Sequence, residues 1–263
     1  LLEAAHDHEV FDHVFYSTVA VYGTGPEPKV EDAPFAPEIP YGESKVESEK
    51  LYREFTEEHD DSRVLVLRPS AIFGEGQPWR TNVHRLIEAI YHRRFLMIGE
   101  GTARKTTSYI ENLLAANFFL LERLESGLKT YIYVDEPIMS TRELVDIIYD
   151  ALGRDPLRWS LPLSIAKPVA TVADVAASVT GIDFPITAAR IEKFCTSTRF
   201  DASAIRELGF TQPVDNEEAA AGRFSGRLNN TNDDYAGASH FPVFPARDGR
   251  DSQSASFDCK RIA

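Results

Sequence analysis

Tyr41 and Lys45 stand four residues apart in Tyr41-Gly42-Glu43-Ser44-Lys45. Positions four apart on a helix share a face, so this spacing sets an ammonium beside a phenol. A phenol titrates near pH 10 and is almost wholly neutral at pH 7. A neighbouring cation favours the phenolate. A tyrosine placed this way can pass a proton to or from a substrate hydroxyl. Upstream, Ser17-Thr18 supplies a hydroxyl, that of Thr18, able to hold the same oxygen. The plainer alternatives are an exposed helix start for Tyr41 and Lys45 and a strand-end hydroxyl for Thr18. The surrounding segments decide between them.

Those segments alternate in type. Residues 1–10 read as the end of a helix. The apolar, β-branched run Val14 to Tyr22 reads as a buried strand. Gly23 to Pro40 holds five prolines and reads as a loop. Tyr41 to Glu58 reads as a helix with Val46, Leu51 and Phe55 near core spacing. Arg63 to Arg68 is a second buried strand, stopped by Pro69, and residues 73–82 form a Gly/Pro loop. A helix over Val83–Tyr91, a strand over Thr107–Ile110 and a helix over Asn112–Leu124 follow. Then come a strand over Thr130–Val134 and a helix over Ser140–Leu152, opened by a Ser140/Glu143 capping box. Strands alternating with helices imply an α/β fold with a doubly wound parallel sheet. Residues 1–152 form its main part, with an inserted segment at about 73–106. Residues 153–222, with a helix near 165–179, suit a small mixed α/β lobe. Residues 223–263 lose periodicity and read as an irregular tail.

Composition removes several function classes. The 263 residues carry a formal charge of −13, which argues against a nucleic-acid-binding face. Arg outnumbers Lys, 20 to 8, which fits either a surface adapted to high salt or an ordinary acidic protein. No apolar run reaches the length of a membrane span, and Leu1 to His6 does not read as a signal peptide. Cys195 and Cys259 form neither a metal spacing nor a disulfide framework, which fits a reducing cytoplasm. His59, His84 and His92 have no partners at metal-ligand spacing. The run Glu57 to Asp61 reads as a solvated turn. Asn229-Asn230-Thr231 matches a glycosylation acceptor without other signs of secretion.

Taken in order, six segments resemble the extended short-chain dehydrogenase/reductases, in the branch of NAD-dependent epimerases and dehydratases. They are Phe15 to Gly23, Pro40 to Lys45, Leu67 to Gly76, Ile98 to Lys105, Tyr109 to Leu113, and Phe200 to Ser203 with Glu207 to Phe210. The resemblance spans about residues 1–222. It implies a Rossmann-type sheet, NAD as cofactor with NADP as the other option, and a small-molecule substrate, in this branch a nucleotide sugar. It implies an acid/base role for Tyr41. Lys45 would tune that phenol and hydrogen-bond the nicotinamide ribose. Thr18 would orient the substrate hydroxyl, Pro69 would approach the nicotinamide, and Lys105 would stand near the substrate diphosphate. A homodimer through the Tyr41 helix is a further implication.

Departures from the family pattern shape the expectation. No Gly-x-x-Gly-x-x-Gly turn occurs, nor the acidic residue that would read the adenosine ribose. The chain is therefore expected to start near the fourth helix of the nucleotide-binding domain, leaving that domain incomplete at its N-terminal side. Val19 and Ala20 occupy the positions where sugar 4,6-dehydratases carry Asp-Glu, which disfavours that dehydration. Ala71 stands where many nucleotide-sugar members carry Asn, and Lys105 where an Arg is frequent. Three readings follow. The first is an NAD-dependent nucleotide-sugar epimerase or reductase, the second a 3β-hydroxysteroid-type dehydrogenase, and the third a non-catalytic binding remnant.

Overall fold

The chain begins with α1 (Leu2–Asp7) and β1 (Asp12–Tyr16), then a 3-10 turn at Val19–Tyr22. Helix α2 (Pro40–Glu58) and strands β2 (Arg63–Pro69) and β3 (Ala71–Phe73) follow. Next come α3 (Asn82–Tyr91), β4 (Met97–Ile98), β5 (Arg104–Lys105), β6 (Thr107–Tyr109) and α4 (Ile110–Leu121). Then β7 (Gly127–Tyr133), β8 (Met139–Ser140), α5 (Thr141–Ala151) and β9 (Ser160–Leu161) lead to α6 (Leu163–Thr180), α7 (Ala188–Cys195), α8 (Ser203–Glu207) and α9 (Asn216–Gly226). The computed structural model describes residues 1–25, 27–74, 82–156, 159–180 and 188–226. The Gly/Pro loop expected after Phe73 lies mostly outside these residues, as does the tail from 227 on. Residues 223–226, expected in that tail, are the last turn of α9.

Parallel strands in the order β1-β2-β7 carry the fold, with Val14 opposite Leu65 and Leu65 opposite Lys129. The middle strand explains why. Val64, Leu65, Val66 and Leu67 are all fully buried, as a parallel strand covered on both faces requires. Successive side chains take opposite faces. Leu65 and Leu67 join Leu113, Ala116 and Leu120 of α4, whereas Val64 and Val66 join Phe55 of α2. Each such residue contributes ~1.5–3 kcal/mol by leaving water. Phe200, Ile205 and Phe210, late in the chain, pack into the same core as α4. A second core gathers Ile87 and Ile90 of α3, Leu144 and Ile148 of α5, and Ala219 and Ala220 of α9. Short pairs β3–β6, β4–β9 and β5–β8 sit outside the main sheet, the last antiparallel.

Two expectations change. The strand expected over Val14–Tyr22 ends at Tyr16. Thr18 then caps a 3-10 turn, its Oγ1 accepting from the Ala20 N–H at 3.2 Å. Val19, Val21 and Tyr22 are buried in that turn, so their apolar run imitated a strand. Leu51, expected near the core, is 61% exposed, while Val46 and Phe55 are buried. The capping box at Ser140 and Glu143 is present in both directions. Among the described residues no helix is long and apolar enough to cross a membrane.

A buried carboxylate ties the end of the sheet to the C-terminal segment. Asp135 accepts from the Tyr109 N–H, from Asn112 Nδ2 at 3.0 Å and from the Tyr133 hydroxyl at 2.9 Å. Asn112 in turn binds the Val214 backbone through both amide atoms, ahead of α9. Burial pushes the Asp135 carboxyl up to about 6, against the pull of these donors. The folded state therefore holds this proton more tightly than the unfolded chain. Its stabilising effect is fully present below the unfolded pKa, near 4, and is lost as pH rises through about 6. Asp135→Asn does not titrate. Relative to it, the wild type is expected to lose ~1 kcal/mol between pH 5 and 7, read from urea midpoints. A difference constant with pH would contradict the assignment.

Candidate active site

The N-terminus of α2 places Tyr41. Ile39 is extended and Pro40 occupies the first turn, where a missing N–H costs nothing. Tyr41 follows, 53% exposed at the head of the helix. Gly42 lets that head come close to the turn after Thr18. A Cβ on Gly42 would lie 2.7 Å from the Ala20 carbonyl oxygen and 3.0 Å from Pro37 Cβ. Only a residue without a side chain fits there.

Lys45 lies one turn on. Its Nζ donates to the Tyr16 carbonyl at 2.7 Å, at the C-terminal end of β1. The same ammonium is 4.7 Å from the Phe15 ring centroid and 5.8 Å from that of Tyr41. Thr18 begins the 3-10 turn. Its oxygen accepts from Ala20, and the same hydroxyl still carries an O–H able to donate. Pro69 is buried at the end of β2, opposite Tyr133. Tyr41, Lys45, Thr18 and Pro69 thus gather at the C-terminal ends of β1 and β2, where ligands bind in open parallel sheets.

Lys105 lies elsewhere, on β5. Its Nζ donates to the Thr196 carbonyl at 2.5 Å, tying β5 to the end of α7. Nearby, a cavity of about 520 Å³ is lined by Ile98, Gly99 to Ala103, Pro162, Leu163, Phe194 and Cys195. Burial pushes the Cys195 thiol up, with Lys105 and Lys167 pulling the other way.

Beneath the exposed groups lies a polar network that spacing alone did not single out. Glu49 of α2 and Arg68 of β2 form a buried ion pair. Arg68 Nε donates to Glu49 Oε1 at 2.9 Å, and Nη2 donates to Oε2. Ser17 Oγ donates to the same Oε1 at 2.5 Å. Arg68 Nη1 donates to the Tyr22 hydroxyl and, at 2.7 Å, to the Glu31 carbonyl. The guanidinium lies 5.0 Å from the Tyr22 ring centroid and 5.1 Å from that of Phe35. Burial alone would pull the Arg68 pKa down. The hydrogen bonds and charges of Glu49 and Tyr22 together outweigh it and leave Arg68 above its ordinary value. Burial pushes the Tyr22 phenol up to about 12, although Arg68 favours its ionised form. An Arg that closes the apolar run Val64 to Leu67, just before Pro69, was the available signal for this network.

The family model for the NAD dependent epimerase/dehydratase family matches residues 1–134 of the chain. The chain belongs to that family. Among curated relatives of this family member, the N-acetyl-alpha-D-glucosaminyl-diphospho-ditrans,octacis-undecaprenol 4-epimerase of Escherichia coli O157:H7 is 31% identical over 214 residues. That match covers 81% of this chain and 64% of the relative, so the chain spans less than two thirds of the relative's length. The fold is that of the UDP-glucuronic acid 4-epimerase of Bacillus cereus, solved with NAD, at a TM-score of 0.65 and 18% identity. It is shared by the dTDP-glucose 4,6-dehydratase of Bacillus anthracis, also solved with NAD, at 0.64 and 16%. These matches cover 87% of this chain and 65% of each neighbour.

Gly42→Ala tests the close approach. The substitution gains up to ~1 kcal/mol of helix propensity, yet a Cβ against a fixed carbonyl costs ~1–3 kcal/mol. A net loss of ~1–2 kcal/mol is expected in chemical denaturation, and a stabilised variant would contradict the geometry.

Proposed function

We propose that this chain supplies the acid/base half of an NAD-dependent epimerase acting at a hydroxyl-bearing carbon of a diphosphate-linked sugar. The observation that carries this reading is the gathering of Tyr41, Lys45 and Thr18 at the C-terminal edge of the parallel sheet. Tyr41 exchanges a proton with the sugar hydroxyl through its exposed phenol. Lys45 stabilises negative charge on that phenol. Thr18 donates its O–H to the same substrate oxygen and fixes its direction. When bound, NAD supplies hydride acceptance and return. The residues present suit its nicotinamide end: Lys45 would hold a ribose hydroxyl, and Pro69, buried at the end of β2, presents no N–H there. The sequence contains no Gly-x-x-Gly-x-x-Gly turn to hold the pyrophosphate, so the fit is to the nicotinamide end.

For the substrate, the relatives' names support a diphosphate-linked sugar, nucleotide or polyprenyl, and do not favour the steroid reading. Lys105 and the cavity beside it are the proposed diphosphate side of the site. Val19 and Ala20 cannot transfer protons, which supports epimerisation or reduction over 4,6-dehydration. Leu51, exposed on α2, is apolar surface that a homodimer through this helix would bury. The cysteine usage supports a cytoplasmic setting.

The test is a melt and an assay of this chain. Millimolar NAD is expected to raise Tm. Uridine diphosphate sugars are expected to turn over, with kcat falling ~10²–10⁴-fold in Tyr41→Phe. A cooperative melt untouched by NAD, with no turnover, would overturn the proposal in favour of a non-catalytic binding module.

A further inference from the structure

Tyr41, Lys45 and Glu49 follow one another at four-residue steps along α2, so one side of the helix carries phenol, ammonium and carboxylate. The first two work at the edge of the sheet. Glu49 is turned inward and is 4% exposed. Its oxygens meet Ser17, the residue before Thr18, and Arg68, the residue before Pro69. Ser17 is itself fixed in the sheet, its N–H donating to the Leu67 carbonyl at 2.7 Å. One carboxylate therefore joins three backbone segments, each a single residue or one helical turn from a proposed site residue.

We propose that Glu49 is a positioning residue for the proton transfer, setting the height and rotation of Tyr41 and Lys45 against Thr18. The proposal rests on the acid/base reading given above. A buried ion pair is a poor device for stability alone, because desolvation offsets most of its attraction. Well-packed apolar residues would hold a helix to a sheet at least as well. What a planar guanidinium fork and a carboxylate add is direction. Two parallel N–H···O bonds admit little sliding, and the Ser17 bond on the same oxygen fixes the third segment. Sliding α2 by one residue would move Tyr41 by about 1.5 Å. A displacement near 1 Å at reacting groups costs about 10²-fold in rate.

Ser17→Ala and Glu49→Gln separate positioning from folding. Ser17→Ala leaves the ion pair intact and cuts only the tie to the Thr18 segment. Both variants are made in the full chain and assayed with NAD and UDP-N-acetylglucosamine, in wild-type and Tyr41→Phe backgrounds. Ser17→Ala is expected to lower kcat about tenfold with KM within about twofold. That loss is expected to vanish in Tyr41→Phe, because Ser17 and Glu49 act through the phenol. A second readout needs no activity. Amide hydrogen exchange at residues 18–20 and 42–45 is expected to quicken in Ser17→Ala, while Val64 to Leu67 stay protected. Unchanged exchange at both segments, an unchanged kcat, or equal losses in both backgrounds would overturn the positioning role. Absence of turnover in the wild type, with exchange quickened as described, would instead overturn the acid/base reading and leave the Glu49 linkage standing.

Discussion

The Arg68–Glu49 ion pair is the constraint around which this chain is built. It sits where a buried strand, a long helix and a proline-rich loop converge. Arg68 answers the carboxylate on one side and Tyr22, Glu31 and Phe35 on the other. Removing one partner from such a pair leaves an uncompensated charge in the interior, at a cost of ~3–5 kcal/mol. That cost is the penalty of an unpaired buried charge and not a net gain from the pair, whose attraction is largely offset by desolvation. The surrounding core is apolar and non-directional. Leu65, Leu67 and Leu113 drive collapse, whereas Arg68 and Glu49 specify where α2 stops along β2.

That division explains what the sequence made legible. Val64 to Leu67 are apolar on both faces, so a buried parallel strand could be read directly. Tyr41 and Lys45 were candidates from their spacing taken with the ordered segments around them, and Thr18 from its hydroxyl within a run read as one strand. Glu49 and Arg68 could not be paired from sequence, because they lie on different elements and each resembles an ordinary surface charge. Gly42 was visible as a letter, but its need followed only from the Ala20 carbonyl above it. Val19 to Tyr22 misled because a buried 3-10 turn and a buried strand demand the same apolar residues. Leu51 misled because helical spacing places a residue on a face without saying what covers that face.

The chemistry divides in the same way as the packing. Groups at the C-terminal edge of the sheet are suited to moving a proton, since one offers a phenol, one an ammonium and one a hydroxyl hydrogen. Tyr41 is placed by Pro40 and Gly42, Lys45 by the Tyr16 carbonyl, and Thr18 by its cap on Ala20. At the C-terminal end of β7, whose Tyr133 pairs with Pro69, Asp135 and Asn112 anchor the segment leading into α9. Membership of the NAD dependent epimerase/dehydratase family fits this layout, in which backbone contacts and one buried ion pair hold the groups proposed to react.

The central claim is that these residues receive the nicotinamide end of the cofactor. Saturation-transfer NMR on the chain with NAD tests it most directly. The expected result is transfer strongest to the nicotinamide ring and its ribose, and lost in Lys45→Ala. Transfer confined to the adenine protons, or none at all, would contradict the claim.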